Sequence, residues 1–230
     1  MPESIGSRRR VLPAGVVCDK CNNYFARKVE QPILNHKWMR NLRAWHLVPS
    51  KKGKFPSLIG HIAGSEIEVT MRRGGDGRPI LAPERGANSG ALERVIKDGF
   101  ETPLIFTIED DVPQREMSRF LAKMALEAYA EIFVADATHL DKVVDEPFFD
   151  SIRNFARYGR GPEEWPFSQR IIYPEDTLMR HPETNEWVIA GFGCTLFLTQ
   201  RRETFFAFVM YGVEFVINGS AVEALTGQQN

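Results

Sequence analysis

Apolar positions recur at helical spacing over three stretches of the chain and alternate at strand spacing over several others. In 22–35, Tyr24, Phe25, Val29, Ile33 and Leu34 fall three to four residues apart, which predicts a helix. Pro32 should bend or divide it, having no N–H and crowding the preceding turn. Trp38, Leu42 and Trp45 continue the spacing up to a basic loop over 49–56. Pro113 opens the clearest helix, whose broad face of Phe120, Leu121, Met124, Ala125, Leu126, Ala128 and Tyr129 runs to about Val134. A second helix of the same character is predicted over 147–157.

Strand signals lie on either side of these helices. Ile67, Val69 and Met71 alternate with polar residues, a half-buried strand over 66–72. The following 73–90 carries five glycines and two prolines, an exposed loop with a short strand at Ile80-Leu81. No Gly-Lys-Ser/Thr closes this loop, so it is not a phosphate-binding P-loop. A short strand follows at 104–108, and the runs 187–199 and 204–218, parted by the polar turn 200–203, read as an antiparallel hairpin. Its density of Phe predicts a strand pair covered on both faces. The fold class is therefore α+β, divided into a small N-terminal module over 1–60 and a mixed helix and antiparallel-sheet domain over 61–230.

Composition narrows the class. At 230 residues and 43% hydrophobic content, the chain can bury one sizeable core or a small module plus an ordinary domain. The longest apolar run, 205–213, is about half of the roughly 20 residues a membrane span needs, and the first residues lack a signal-peptide core. The expected protein is cytoplasmic and does not enter a membrane. The charge, −1 in total, is unevenly placed: residues 1–65 hold 12 Lys/Arg against three Asp/Glu, leaving 17 against 27 for the rest. So basic a region attracts polyanions, nucleic acid first among them, although docking onto an acidic domain of the same chain would use the same charges. The cations concerned are Arg8, Arg9, Arg10, Lys20, Arg27, Lys28, Lys37, Arg40, Arg43, Lys51, Lys52 and Lys54.

Three cysteines make no disulfide framework, and Cys194 sits in an apolar strand pattern as a core thiol. Cys18 and Cys21 are different. A Cys-x-x-Cys turn offers two thiolates from one tight knuckle, which suits half of a tetrahedral zinc site. Spacing alone also leaves open a redox pair or an incidental turn. Further ligands are not obvious, since His36 and His46 lie too far apart for the spacing of a zinc finger.

The sequence around the knuckle, Val16-Val17-Cys18-Asp19-Lys20-Cys21-Asn22-Asn23-Tyr24-Phe25 followed by Lys28-Val29-Glu30, resembles the second half of the HNH endonuclease family, in the branch with paired Cys-x-x-Cys knuckles. The leader Met1-Pro2-Glu3-Ser4-Ile5-Gly6, together with Arg43 and the stretch 51–56, is similar to the same branch, so the resemblance covers about residues 2–56. It implies a ββα-metal fold, with Cys18 and Cys21 as zinc ligands and Asn22 as the helix-borne ligand of a catalytic divalent cation such as magnesium. It further implies metal-dependent hydrolysis of DNA phosphodiesters, with the basic residues on the phosphate backbone. The family's first Cys-x-x-Cys pair and its acidic-His dyad would precede Met1, so no catalytic residue is assigned. The polypeptide as given is expected to be inactive, through truncation or degeneration. The close match of the leader favours truncation. The alternative is a non-catalytic nucleic-acid-binding or protein-interaction protein braced by a zinc knuckle.

Weaker constellations take ordinary readings. Glu109, Asp110 and Asp111 precede a helix as dipole partners, and His139 and Asp141 are surface or capping residues. Arg153, Arg157 and Arg160 share a helix flank with Tyr158 in a position open to nucleic acid, though exposed arginines on an acidic domain more often pair with carboxylates.

Overall fold

The computed structural model describes residues 12–14, 16–46, 48–50, 52–63, 68–73, 79–83, 104–105, 111–134, 146–174, 177–180, 185–201 and 203–220, with 90, 93 and 97 singly. Helices and antiparallel sheets share them, the α+β class expected. By its contacts the chain forms two units, one drawn from Arg9–Ile33 and Pro113–Asn230, the other from Leu34–Val112. Residue 60, where composition suggests a boundary, lies inside a strand.

The first unit begins with α1 (Asp19–Phe25), continues through a π-helical turn (Ala26–Glu30) and leaves by α2 (Gln31–Asn35). The helix therefore starts three residues before the position that its apolar spacing indicates, and its irregularity precedes Pro32. Both follow from hydrogen bonding. Cys18 caps the N-terminus, and Pro32 has no N–H to give the carbonyl of Lys28 four residues back. The helix widens to a Gln31 N–H to Ala26 O bond, and Arg119 Nη1 reaches Lys28 O at 3.4 Å.

The core of this unit is α4 (Gln114–Val134) laid across a four-stranded sheet, with α5 (Asp150–Tyr158) beside it after a 3₁₀ turn (Pro147–Phe149). The sheet runs β5 (Phe167–Ile171), β10 (Val213–Asn218), β9 (Thr204–Met210), β8 (Phe192–Leu198). Register puts Leu196, Phe206 and Ile217 in one row and Cys194, Phe208 and Phe215 in the next. Phe206, Phe208 and Phe215 are fully buried with Phe120, Leu121 and Phe155, which is the face that α4 covers. Phe197 points the other way at 51% exposure, so the expected covering of both faces is incomplete. Cys194, expected in the core, is only partly buried. Trp165 closes the end of the core, its Nε1–H donating to Asn218 O at 2.8 Å.

Two breaks in the β-rich runs escape pattern reading. Run 187–199 is β7 (Trp187–Ile189), which pairs with β6 (Leu178–Arg180), and then β8. Run 204–218 is two strands joined at Tyr211-Gly212, both with positive φ (49° and 83°), the twist a two-residue hairpin requires.

In the second unit, α3 (Lys37–Trp45) packs on an antiparallel sheet ordered β3 (Pro79–Pro83), β2 (Glu68–Arg73), β1 (Leu58–Ile62), β4 (Leu104–Ile105). Trp38, Met39, Leu42, Leu58, Ile62 and Val69 form its core. Its strands β2, β3 and β4 fall on stretches that read as strands in the sequence; β1 does not. Among the described residues of either unit, no helix is long and apolar enough to cross a membrane.

Among the described residues of the first unit, Lys123 is a buried charged group. Lys123 Nζ lies 2.8 Å from Glu30 and 2.6 Å from Glu127, its side chain 6% exposed, joining the π-helical turn to α4. Removing the ammonium strands two carboxylates of low exposure, so Lys123→Ala should cost about 3 kcal/mol in urea denaturation. Lys123→Met combined with Glu30→Gln and Glu127→Gln should recover most of that loss.

Candidate functional site

Cys18 adopts an extended conformation (φ −70°, ψ 154°) before α1, and its Sγ accepts from Cys21 N–H at 3.4 Å while its carbonyl accepts from Asn22 N–H at 2.9 Å. Its thiol is held below the ordinary range by the Cys21 amide first, then by the Cys21 thiol, the Lys20 amide and the Arg157 guanidinium. Cys21 is pushed up, chiefly because its S–H donates to Cys18 and secondarily by burial. The pair is therefore one exposed thiolate former and one half-buried thiol that supports it, the arrangement expected where thiolate meets a helix N-terminus.

Two thiols at a tight knuckle suit zinc, whose ligands must be deprotonated sulfur or neutral imidazole. They are half of a shell: among the described residues no group of three or more His, Cys, Asp or Glu is placed to hold a metal. His36 caps α3, its Nδ1 accepting from Trp38 N–H at 3.4 Å, and it belongs with His46 to the second unit. Asn22, expected to bind a catalytic cation, is exposed on the first turn of α1. One amide oxygen cannot organise phosphodiester hydrolysis, and no catalytic step follows from the described donors.

The expected basic surface separates between the units. Lys20, Arg27 and Lys28 are exposed in the first unit and make no ion pair among the described residues. Lys37, Arg40, Arg43, Lys52 and Lys54 belong to the second, where Arg40 Nη2 donates to Ser57 Oγ at 3.4 Å. Lys52 and Lys54 are exposed around a turn closed by Gly53 N–H to Ser50 O at 2.8 Å, with Gly53 at φ 72°. Arg43, expected among the outward cations, is instead 7% exposed, because it follows Met39 by four residues and Leu42 by one on the inward side of α3. Arg8, Arg9, Arg10, Lys51, Glu109, Asp110, His139 and Asp141 lie outside the described residues.

Arg157 has no visible link to the cysteines in the sequence. Tyr24 of α1 donates its hydroxyl hydrogen to Arg157 O, which brings the end of α5 to the knuckle across 133 residues of sequence. No local pattern encodes that contact. A cavity of about 350 Å³ in the same unit, lined by Leu12, Val16, Val17, Phe25 and Tyr129, is apolar, and its charged members Lys123, Glu127 and Arg153 are already paired.

Comparison of the chain with protein-family models, with curated proteins and with solved structures found no match.

The two thiols should differ in reactivity. Cys18 should alkylate with iodoacetamide faster than Cys21 at neutral pH, its rate rising first as pH increases. Cys21→Ala should slow Cys18 by removing the S–H donor, which mass spectrometry of the labelled peptides would read. Equal rates would overturn the assignment of Cys18 as the more readily ionised of the two thiols.

Proposed function

We propose that the chain is an HNH-endonuclease-like protein that binds DNA through its first helical segment, with Cys18 and Cys21 supplying two ligands to a structural zinc ion. The observation that carries this reading is the knuckle itself: a capping Cys18 that accepts from the Cys21 amide, Cys21 one turn on, and Asn22 next along the helix. Lys20, Arg27 and Lys28 surround it without carboxylate partners among the described residues, as a phosphate-facing surface requires. Three cysteines outside any disulfide are in keeping with a cytoplasmic protein.

Zinc would tie the knuckle and neutralise its thiolates. In the complete family form a second cation such as magnesium would polarise the phosphodiester, with Asn22 among its ligands. The residues of this chain position and bind, and no hydrolytic step is assigned to them. A non-catalytic nucleic-acid-binding or interaction protein is the second reading, favoured by a knuckle that stands without further His, Asp or Glu ligands among the described residues.

DNA affinity measured by fluorescence anisotropy should fall steeply with salt. Replacing Lys20, Arg27 and Lys28 by Gln should lower the slope of log K against log salt by about 0.9 for each phosphate no longer neutralised. An affinity indifferent to salt would sink the nucleic-acid reading. Zinc measured by mass spectrometry should drop in Cys18→Ser. Binding without nicking is the outcome expected of this polypeptide; magnesium-dependent plasmid nicking that disappears in Asn22→Ala would overturn the reading of an incomplete site.

A further inference from the structure

We propose that Arg157 and Arg160, both resting on Tyr158 at the C-terminus of α5, form a phosphate clamp that extends the DNA surface of the cysteine knuckle. The inference rests on the DNA-binding reading and adds a site from the far end of the sequence.

Arginines at a surface ordinarily find carboxylates, and two others of this unit do, whereas Arg157 is half-buried and Arg160 exposed. Arg153 pairs with Asp150 at 3.3 Å and Arg170 with Glu214 at 2.5 Å. Arg157 and Arg160 make no ion pair among the described residues, although Glu163 and Glu164 follow closely. Their guanidinium carbons lie instead 5.2 and 5.0 Å from the Tyr158 ring centroid, and Tyr158 is 50% exposed. A ring contact of this kind restricts a long side chain before it binds and so offsets part of the rotamer freedom lost on binding. The forked N–H edges, unused by carboxylates among the described residues, are left for an anion.

The backbone is built to bring both arginines to one ring. Gly159 takes a left-handed conformation (φ 63°) that ends the helix, with its N–H on Phe155 O at 2.8 Å and Arg160 N–H on Asn154 O at 3.4 Å. A side chain at 159 would be strained there and would meet Arg115 Nη2 at 3.0 Å. The carbonyls left over at the helix end are taken by Arg119, on Ala156 O at 3.1 Å and Arg157 O at 3.0 Å, and by Arg115, on Gly159 O at 3.2 Å. The negative end of the helix dipole is thus answered by Arg115 and Arg119, so Arg157 and Arg160 are not required for it. The Tyr24 bond to Arg157 O sets them beside α1.

Planar forks can hold phosphodiester oxygens bidentately, and on the DNA-binding reading the partner is a nucleic-acid backbone. The test is anisotropy of a fluorescein-labelled DNA duplex of mixed sequence, titrated at several salt concentrations. Arg157→Gln with Arg160→Gln should lower the salt slope by about two units with an unchanged denaturation midpoint. Tyr158→Phe should bind as the parent does, and Tyr158→Ala more weakly. Arg157→Lys with Arg160→Lys should keep the slope and lose part of the affinity, a control whose preserved charge separates binding from folding. If the glutamine pair binds like the parent while Lys20→Gln, Arg27→Gln, Lys28→Gln is weakened, the clamp is wrong and the DNA reading stands. If the parent binds no DNA at low salt, that reading fails and the clamp with it. Equal displacement of the DNA by polyglutamate at matched charge would overturn the choice of phosphate.

Discussion

One guanidinium joins the parts of the first unit that carry chemistry. Arg119, in the second turn of α4, donates to Lys28 O in the π-helical turn and to Ala156 O and Arg157 O at the end of α5. Each bond from a charged donor to a carbonyl that the helices cannot satisfy is worth about 1.5–3 kcal/mol. Together they secure an otherwise awkward geometry. Pro32 deprives Lys28 O of a helix donor, and the end of α5 leaves its last carbonyls open. Arg119 answers both defects from one position. The irregular N-terminal helix and the terminus of α5 are thereby held to the same side chain.

The location of the knuckle follows from that junction. With α1 entering the π-helical turn and Tyr24 reaching Arg157 O, the exposed N-terminus of α1 and the exposed C-terminus of α5 are neighbours. Arg157 then helps to lower the Cys18 thiol, though less than the local amide and thiol of Cys21 do. The order of these causes matters: the thiolate preference is mostly written within residues 18–21, and the tertiary contact only adds to it. Lys123 gives the same segment a second attachment through Glu30, by a buried ion network whose desolvation limits its net contribution to stability.

What is legible in the sequence divides along the same line. The helix after Pro113 is readable because a proline start and a wide apolar face agree, and the Cys-x-x-Cys turn because its spacing is local. The strands paired over 204–218 are legible as strands, but not the turn within them, since Tyr211 carries no usual sign of positive φ. β5 and β6 are short, mixed in polarity and largely exposed, so alternation against a core never marks them. Arg43 is misplaced by its charge, which cannot tell which side of α3 a long side chain lies on. Arg157 escapes because its role depends on a bond between residues 24 and 157.

Charge density along the sequence is a weaker guide than it looks. The basic first 65 residues suggest one continuous surface, yet the chain passes from one unit to the other within α2, at Ile33 and Leu34. Lys20, Arg27 and Lys28 stay with the knuckle, whereas the later cations build another unit, and one of them turns inward. A phosphate-binding face depends on unpaired charge at close quarters, since screening removes most of the rest within about 10 Å. On that criterion the proposed contribution of the net-acidic portion after residue 65 comes from Arg157 and Arg160, which lie over an aromatic ring and make no ion pair among the described residues. The sign of a segment therefore says less about its partner than whether its individual cations have been neutralised by the fold.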